Sequence, residues 1–214
     1  MWSIIIYMDS IIYLQSTDIS LAALIGYVTE NSGNFTTNKK NSDYESLTRS
    51  IISQQLSTFA ARSITNRLLE LTNGRGITPA IVLDLSITSL RDIGLSRQKI
   101  SYIQGLASSL TDGGLDLGKL RHMEDNKALS ELQKIKGVGE WTAQMFVMSQ
   151  IGREDIFPIK DAGIRSAMGK LYALDEVTDQ KLIEISDNWS PQRSLACKYL
   201  WRALDLGYFS NKAI

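Results

Sequence analysis

The sequence predicts an all-α protein of about ten helices. Three observations carry that prediction. Apolar residues recur at three- and four-residue spacing along most of the chain. Strand-like alternation is almost absent. Only three prolines fall within 214 residues. Two of them, in Thr78-Pro79 and Ser190-Pro191, follow a hydroxyl residue suited to capping, so each reads as the first position of a helix.

The periodicity marks helices over Ser20–Glu30, Tyr44–Gln54, Thr58–Leu71, Pro79–Leu85, Ser89–Ile93, Arg97–Leu110, Asn126–Gln133, Glu140–Gln150, Ala162–Tyr172, Asp179–Asn188 and Pro191–Leu206. Gly94 reads as a helix terminator and Ser96 as the cap of the next helix. Only Ser3–Tyr7 and Ile11–Leu14 have strand character, and either also fits a helix. No linker or repeat divides the chain. The expected organisation is one domain, residues 1–214, in two lobes with a cleft between them. Met8 to Leu21 reads well as the opening of that domain, which makes Met8 an alternative start to Met1.

Composition narrows the class. Apolar residues make up 43% and charged residues 21%, as in a water-soluble globular protein. Lys and Arg balance Asp and Glu at 23 each, so any affinity for polyanions has to come from a local strip. Lys134, Lys136, Arg153, Lys160, Arg165 and Lys170 outnumber the acids of their stretch, and Arg193, Lys198 and Arg202 have no acid among them. A single cysteine, Cys197, excludes a disulfide framework and Cys-ligated zinc or iron–sulfur sites, and it falls in an apolar helical pattern as a core thiol. The one histidine, His122, lies in a polar segment and reads as a surface residue. The apolar start MWSIIIYMDSIIYL is too short to span a bilayer and is interrupted by Asp9. It also lacks the basic flank and cleavage site of a secretory signal. The protein is expected to be intracellular, in cytoplasm (nucleoid) or nucleus, with no membrane partner.

One stretch is more informative than the rest. LQKIKGVGEWTAQMFVMSQIGREDIFPIKD, from Leu132 to Asp161, reads as a helix, a turn on Gly137-Val138-Gly139, a second helix, and a loop that delivers one carboxylate. Leu132, Ile135, Val138, Ala143, Phe146 and Val147 are spaced so that two helices pack across a tight turn, giving a hairpin at about 132–150. Glycines let backbone amides approach another surface closely. Amides at a helix start, with the dipole behind them, suit a phosphate. An ordinary helical hairpin with a glycine turn has the same pattern. The acid at the far end of the stretch is what suggests chemistry on DNA.

These residues resemble the helix-hairpin-helix DNA glycosylases, and within them the DNA-3-methyladenine glycosylase II (alkylbase) family. The motifs are LQKIKGVGEWTA and DIFPIKDAGIRSA, with IISQQLSTFAARSI from Ile51, IGLSRQKISYI from Ile93 and WSPQRSLACKYLWRALD from Trp189. The likeness runs over nearly the whole chain in motif order. It implies a two-lobed helical fold with the active-site cleft between the lobes, and without the extra N-terminal β domain of longer relatives. It also implies a monofunctional enzyme that hydrolyses the N-glycosidic bond of alkylated bases in double-stranded DNA, of 3-methyladenine and 7-methylguanine type. The product would be an abasic site, the first step of base excision repair by a protein that acts as a monomer.

The resemblance also assigns residues. Asp161 matches the catalytic aspartate. Trp141 and Trp201 match aromatics lining the base pocket, and Met145 stands where some relatives have a tyrosine. Lys136, Gly137, Val138 and Gly139 match the phosphate grip. There the backbone carbonyls of Gln133, Ile135 and Val138 would hold a Na⁺ or K⁺ ion, with no other cofactor required. Gln55, beside Leu56 and Ser57, matches the loop that fills the gap left by the extruded base. Lys160 precedes the acid where several relatives have a second acid. With Met145, that leaves the substrate range open.

The residues themselves bear on this chemistry. Cleavage of the glycosidic bond leaves positive charge on the sugar, which one carboxylate can stabilise. Asp161 immediately precedes a helix, an N-cap position that surrounds it with N–H donors and suits an electrostatic stabiliser better than a general acid. A cationic alkylated purine leaves readily without a second acid, and Asp155 reads as a residue that organises the loop. Bifunctional relatives carry a Schiff-base lysine at the position of Trp141, and an indole cannot form that bond. Two alternatives stay open: a lesion-binding protein without catalysis, and a glycosylase for deaminated or mismatched bases.

Overall fold

The computed structural model describes residues 2–33 and 41–210. The chain divides into two compact units, one built from Lys39–Gly152 and one from both ends, Met1–Asn38 with Arg153–Ile214. Among the described residues every regular element is helical.

In the terminal unit, α1 is Trp2–Thr17, α2 Ile19–Ser32, α10 Ala162–Leu171, α11 Asp179–Asp187 and α12 Arg193–Asp205. The segments with strand character, Ser3–Tyr7 and Ile11–Leu14, both lie in α1. Runs of β-branched isoleucine mimic a strand, but Ser10, Ile11 and Leu14 are buried at helical spacing, and packing against α2 overrides the local preference. Asp18 starts α2 by accepting the Leu21 N–H at 2.9 Å. Its other oxygen takes the Tyr172 hydroxyl at 2.5 Å and the Trp189 indole N–H at 2.9 Å, which ties the N-terminal helices to the C-terminal half. α12 packs against both α2 and α10, with Ala196, Cys197, Tyr199, Leu200 and Ala203 buried. Burial raises the Cys197 thiol pKa, as a core thiol requires. The Ser190-Pro191 start is corrected. These residues lie in a turn, and α12 begins at Arg193, because Asp155 gathers the Ser190 hydroxyl and the Arg193 backbone and guanidinium there. Burial alone would raise the pKa of Asp155, but its bonds to Arg193 and Ser190 outweigh that and hold it below the usual carboxylate range.

The middle unit contains α3 Asp43–Ser53, α4 Thr58–Leu71, α5 Pro79–Asp84, α6 Ile87–Asp92, α7 Arg97–Thr111, a 3₁₀ turn Leu117–His122, α8 Asp125–Gln133 and α9 Glu140–Phe146. Ser42, Ser57, Thr78, Ser86 and Ser96 cap α3 to α7 in turn, each side chain accepting the N–H three residues on. Gly94, at φ +102, stands just beyond the end of α6 as its terminator. α3 lies at the centre, against α4, α7 and α9, with Leu47, Ile51 and Ile52 fully buried. The helix expected over Glu140–Gln150 is α-helical only to Phe146. Val147–Ile151 widens into a π-helical turn that closes on the left-handed Gly152. The 3₁₀ turn escaped the periodicity because its two buried residues, Leu117 and Leu120, make a single repeat. His122 is exposed.

Candidate functional site

The hairpin forms where the sequence places it. α8 ends at Gln133, and the chain turns through the Val138 N–H to Ile135 carbonyl bond of 3.0 Å. Val138 is buried with Leu132, Ala143 and Phe146, whereas Lys136 and Gly139 face solvent. The two glycines differ in kind. Gly137 has φ +89, and a Cβ there would overlap the Tyr102 ring, so both conformation and space demand glycine. Gly139 has φ −86 and open space around it, so the fold itself would accept a side chain. Gly139 is the N-cap of α9 without a side-chain cap, which leaves the first amides of that helix for an outside acceptor. Of the carbonyls assigned to a monovalent cation, that of Ile135 accepts the Val138 N–H and keeps a second lone pair, and Gln133 is exposed at the end of α8. Carbonyl oxygens on an exposed turn are a chemically suitable donor set for Na⁺ or K⁺.

The loop between α3 and α4 is the second feature. Gln55 is exposed in the left-handed conformation, φ +57, which a non-glycine residue adopts only when its surroundings enforce it. Leu56 is 39% exposed, and Ser57 caps α4. Phe59, two residues further, is 84% exposed and was missed by the sequence reading. The signal was present: Ala61, Ile64, Thr65 and Leu68 define the buried stripe of α4, and Phe59 falls off it. Trp141, 44% exposed on α9, shares a groove of about 490 Å³ with Leu56, Ser53, Thr58, Arg49 and Arg62. Met145 is half-buried one turn further along α9.

In the terminal unit, Asp161 caps α10. Its Oδ1 accepts the Ile164 N–H at 2.8 Å and the Trp201 indole N–H at 2.9 Å. Trp201 is half-buried, and its bond to Asp161 is a contact the expected place in the base pocket did not include. Gly163 leaves room for the pairing, since a Cβ there would stand 3.1 Å from Asp161 Oδ1 and 3.3 Å from Trp201 Cδ1 and would crowd both. Asp155 organises the loop as expected. Lys160 pairs with Asp179, which also holds Arg165. Part of the basic strip read from the sequence is therefore engaged in ion pairs. Lys134 also pairs with Glu131, and Arg193 with Asp155.

A helical protein with a glycine hairpin, a strained loop opposite an exposed tryptophan and an aspartate fixed at a helix start has the parts of a helix-hairpin-helix repair protein. The profile of the HhH-GPD superfamily of base excision DNA repair proteins matches residues 48–192, and the chain belongs to that superfamily. A DNA-3-methyladenine glycosidase structure from Bacillus halodurans is 32% identical at a TM-score of 0.79, over 95% of this chain and 91% of that one. The 3-methyladenine DNA glycosylase of Schizosaccharomyces pombe, in complex with abasic DNA, is 28% identical at 0.78, over 92% and 97%. A putative DNA-3-methyladenine glycosylase of Bacillus subtilis is 31% identical over 169 residues; the match covers 76% of this chain and 59% of that protein, so the chain spans under two thirds of it. The resemblance drawn from the sequence motifs is thus met by proteins of that name. No described helix is long and apolar enough to cross a membrane.

Proposed function

We propose that the protein is a monofunctional DNA glycosylase that removes alkylated purines of the 3-methyladenine and 7-methylguanine type, leaving an abasic site in an intact strand. The observation that carries this is Asp161, held in one orientation by the α10 amide and the Trp201 indole. Bond cleavage builds positive charge on the deoxyribose, and a fixed carboxylate stabilises it without reorganising. At ~4 Å and an effective dielectric near 20 the attraction is about 4 kcal/mol before desolvation. That is roughly a thousandfold in rate. A cationic purine is already an adequate leaving group, so Asp161 acts alone.

In this reading Gln55 and Leu56 enter the duplex in place of the extruded nucleotide, lowering a cost of a few kcal/mol for unstacking. Phe59 adds an apolar contact beside them. The Gly137–Gly139 amides hold a backbone phosphate, with Lys136 adjacent, and a Na⁺ or K⁺ at the carbonyls of Gln133, Ile135 and Val138 would add positive charge there. Trp141 offers an indole face to a cationic base, worth about 0.5–2 kcal/mol, and Met145 lies on the same helix. The protein works as a monomer on double-stranded DNA.

The test is release of labelled bases from methylated DNA. Methylated purines are expected in the supernatant, with abasic sites left in unbroken strands. Binding of lesion DNA without release would mean a lesion sensor, and release of deaminated bases alone would mean another substrate class. Borohydride is expected to trap no covalent adduct, since an indole occupies the position from which a lysine would attack. A trapped adduct with strand cleavage overturns the monofunctional assignment.

A further inference from the structure

Three contacts in the middle unit join the α3–α4 loop, the hairpin and α7 into a closed triangle. The first runs from α7 to the loop. Lys99 Nζ donates to the carbonyls of Ile52 and Gln54, both at 2.7 Å, at the C-terminal end of α3. These carbonyls have no partner within the helix, and a cation there also meets the negative end of the dipole. The second runs from loop to hairpin, where Gln54 Nε2 donates to the Gly137 carbonyl at 2.8 Å. The third runs from hairpin back to α7, where the Tyr102 ring fills the space beside Gly137. Lys99 and Tyr102 are three residues apart, on one face of α7. Gln98 Nε2 donates to the Tyr102 hydroxyl at 2.6 Å.

Gln54 is the residue before the left-handed Gln55, so the fixed carbonyl and fixed side chain of Gln54 set where Gln55 and Leu56 project. We propose that Lys99 and Gln54 are positioning residues that brace the base-displacing loop against the phosphate-gripping hairpin, so that seating the hairpin on the backbone delivers the loop to the duplex in register. The brace rests on the reading of that loop and hairpin given under Proposed function. Neither residue touches the base. Their contribution falls on extrusion, and it should vanish where extrusion is easy.

The experiment compares single-turnover excision from two duplexes, each with one 7-methylguanine. In one the lesion faces cytosine; in the other it faces a tetrahydrofuran abasic analogue and has no partner to leave. Lys99→Met and Gln54→Met are expected to slow the paired duplex about tenfold and the unpaired one less than about threefold, because a missing partner lowers the extrusion cost. Affinity for undamaged duplex is expected to stay within about threefold of wild type, because the phosphate contacts that supply non-specific binding are kept. Lys99→Arg, which can still donate to both carbonyls, is expected to keep wild-type rates. If Lys99→Met does not fold, Gln54→Met carries the same comparison. Equal slowing on both duplexes, or none on either, overturns the brace. A Gln55→Ala, Leu56→Ala double variant run alongside separates the two levels. If it excises the paired lesion at the wild-type rate, the loop does not displace the base and the underlying reading falls too. If it is slow while Lys99→Met and Gln54→Met are not, only the brace falls.

Discussion

At the scale of single residues, Asp161 and Trp201 act as one group. Asp161→Asn keeps the shape of the carboxylate and can still cap α10, but it removes the charge. Excision is expected to fall about a thousandfold, by the attraction of roughly 4 kcal/mol that the charge supplies, while affinity for undamaged duplex is unchanged. Wild-type turnover in this variant would remove Asp161 from the mechanism. Trp201→Phe keeps a ring and loses the N–H that donates to Asp161 Oδ1 at 2.9 Å. A hydrogen bond to a charged group contributes about 1.5–3 kcal/mol, and the part of it made only in the transition state lowers kcat, so kcat is expected to drop by up to about tenfold, with KM little changed. A rise in KM at constant kcat would mean that Trp201 serves only as a stacking face. The N-cap position of Asp161 was legible because the loop and the helix it starts are contiguous in sequence. The bond from Trp201 was not, because it joins residues 40 positions apart and helical periodicity carries no information on which buried face meets which.

At the scale of elements, the hairpin separates folding from binding. Gly137→Ala forces a left-handed alanine, costing about 1–2 kcal/mol, and drives its Cβ into Tyr102. The variant is expected to melt several degrees lower and to lose DNA affinity as a consequence. Gly139→Ala meets no atom and keeps an ordinary φ of −86. It is expected to leave the melting temperature within about 2 °C, since exposed substitutions of this kind stay near ±0.5 kcal/mol. It should weaken binding to damaged and undamaged duplex alike, because the added methyl group stands where the phosphate has to approach. An effect of Gly139→Ala confined to lesion DNA would mean that the turn reads the base. The sequence alone treats the two glycines as equivalent. Their difference comes from the left-handed φ of Gly137 and from Tyr102, on a helix that local pattern does not connect to the turn. The starts of α3 to α7 were legible because Ser or Thr caps announce them. The π-helical turn at Val147–Ile151 was not, since its apolar spacing continues that of α9.

At the scale of the whole molecule, charge decides how the protein meets DNA. The net charge is zero, and counting residues along the sequence suggested a basic strip of six Lys and Arg from Lys134 to Lys170. Lys134, Lys160 and Arg165 are held in ion pairs with Glu131 and Asp179. Glu131 and Asp179 lie on α8 and α11, and only folding brings the acid of α11 to its two partners. Many exposed cations lie outside these pairs; those placed to follow the loop and hairpin onto DNA are Arg62, beside Leu56 in the groove, Lys136 in the turn, and Arg97 at the start of α7, the helix that packs against α3. About three phosphate contacts give a slope of log affinity against log salt near −2.7, so raising salt from roughly 50 to 200 mM should weaken binding about 40-fold. Six contacts would give a slope near −5.4 and a loss of about 2,000-fold over the same range. The measurement is the equilibrium affinity for undamaged duplex at four or more salt concentrations. The shallow slope is expected, and it should flatten by about one unit in Lys136→Gln. A steep slope in the wild type would mean that the ion pairs to Glu131 and Asp179 open on the DNA and that the basic strip acts as the sequence count suggested.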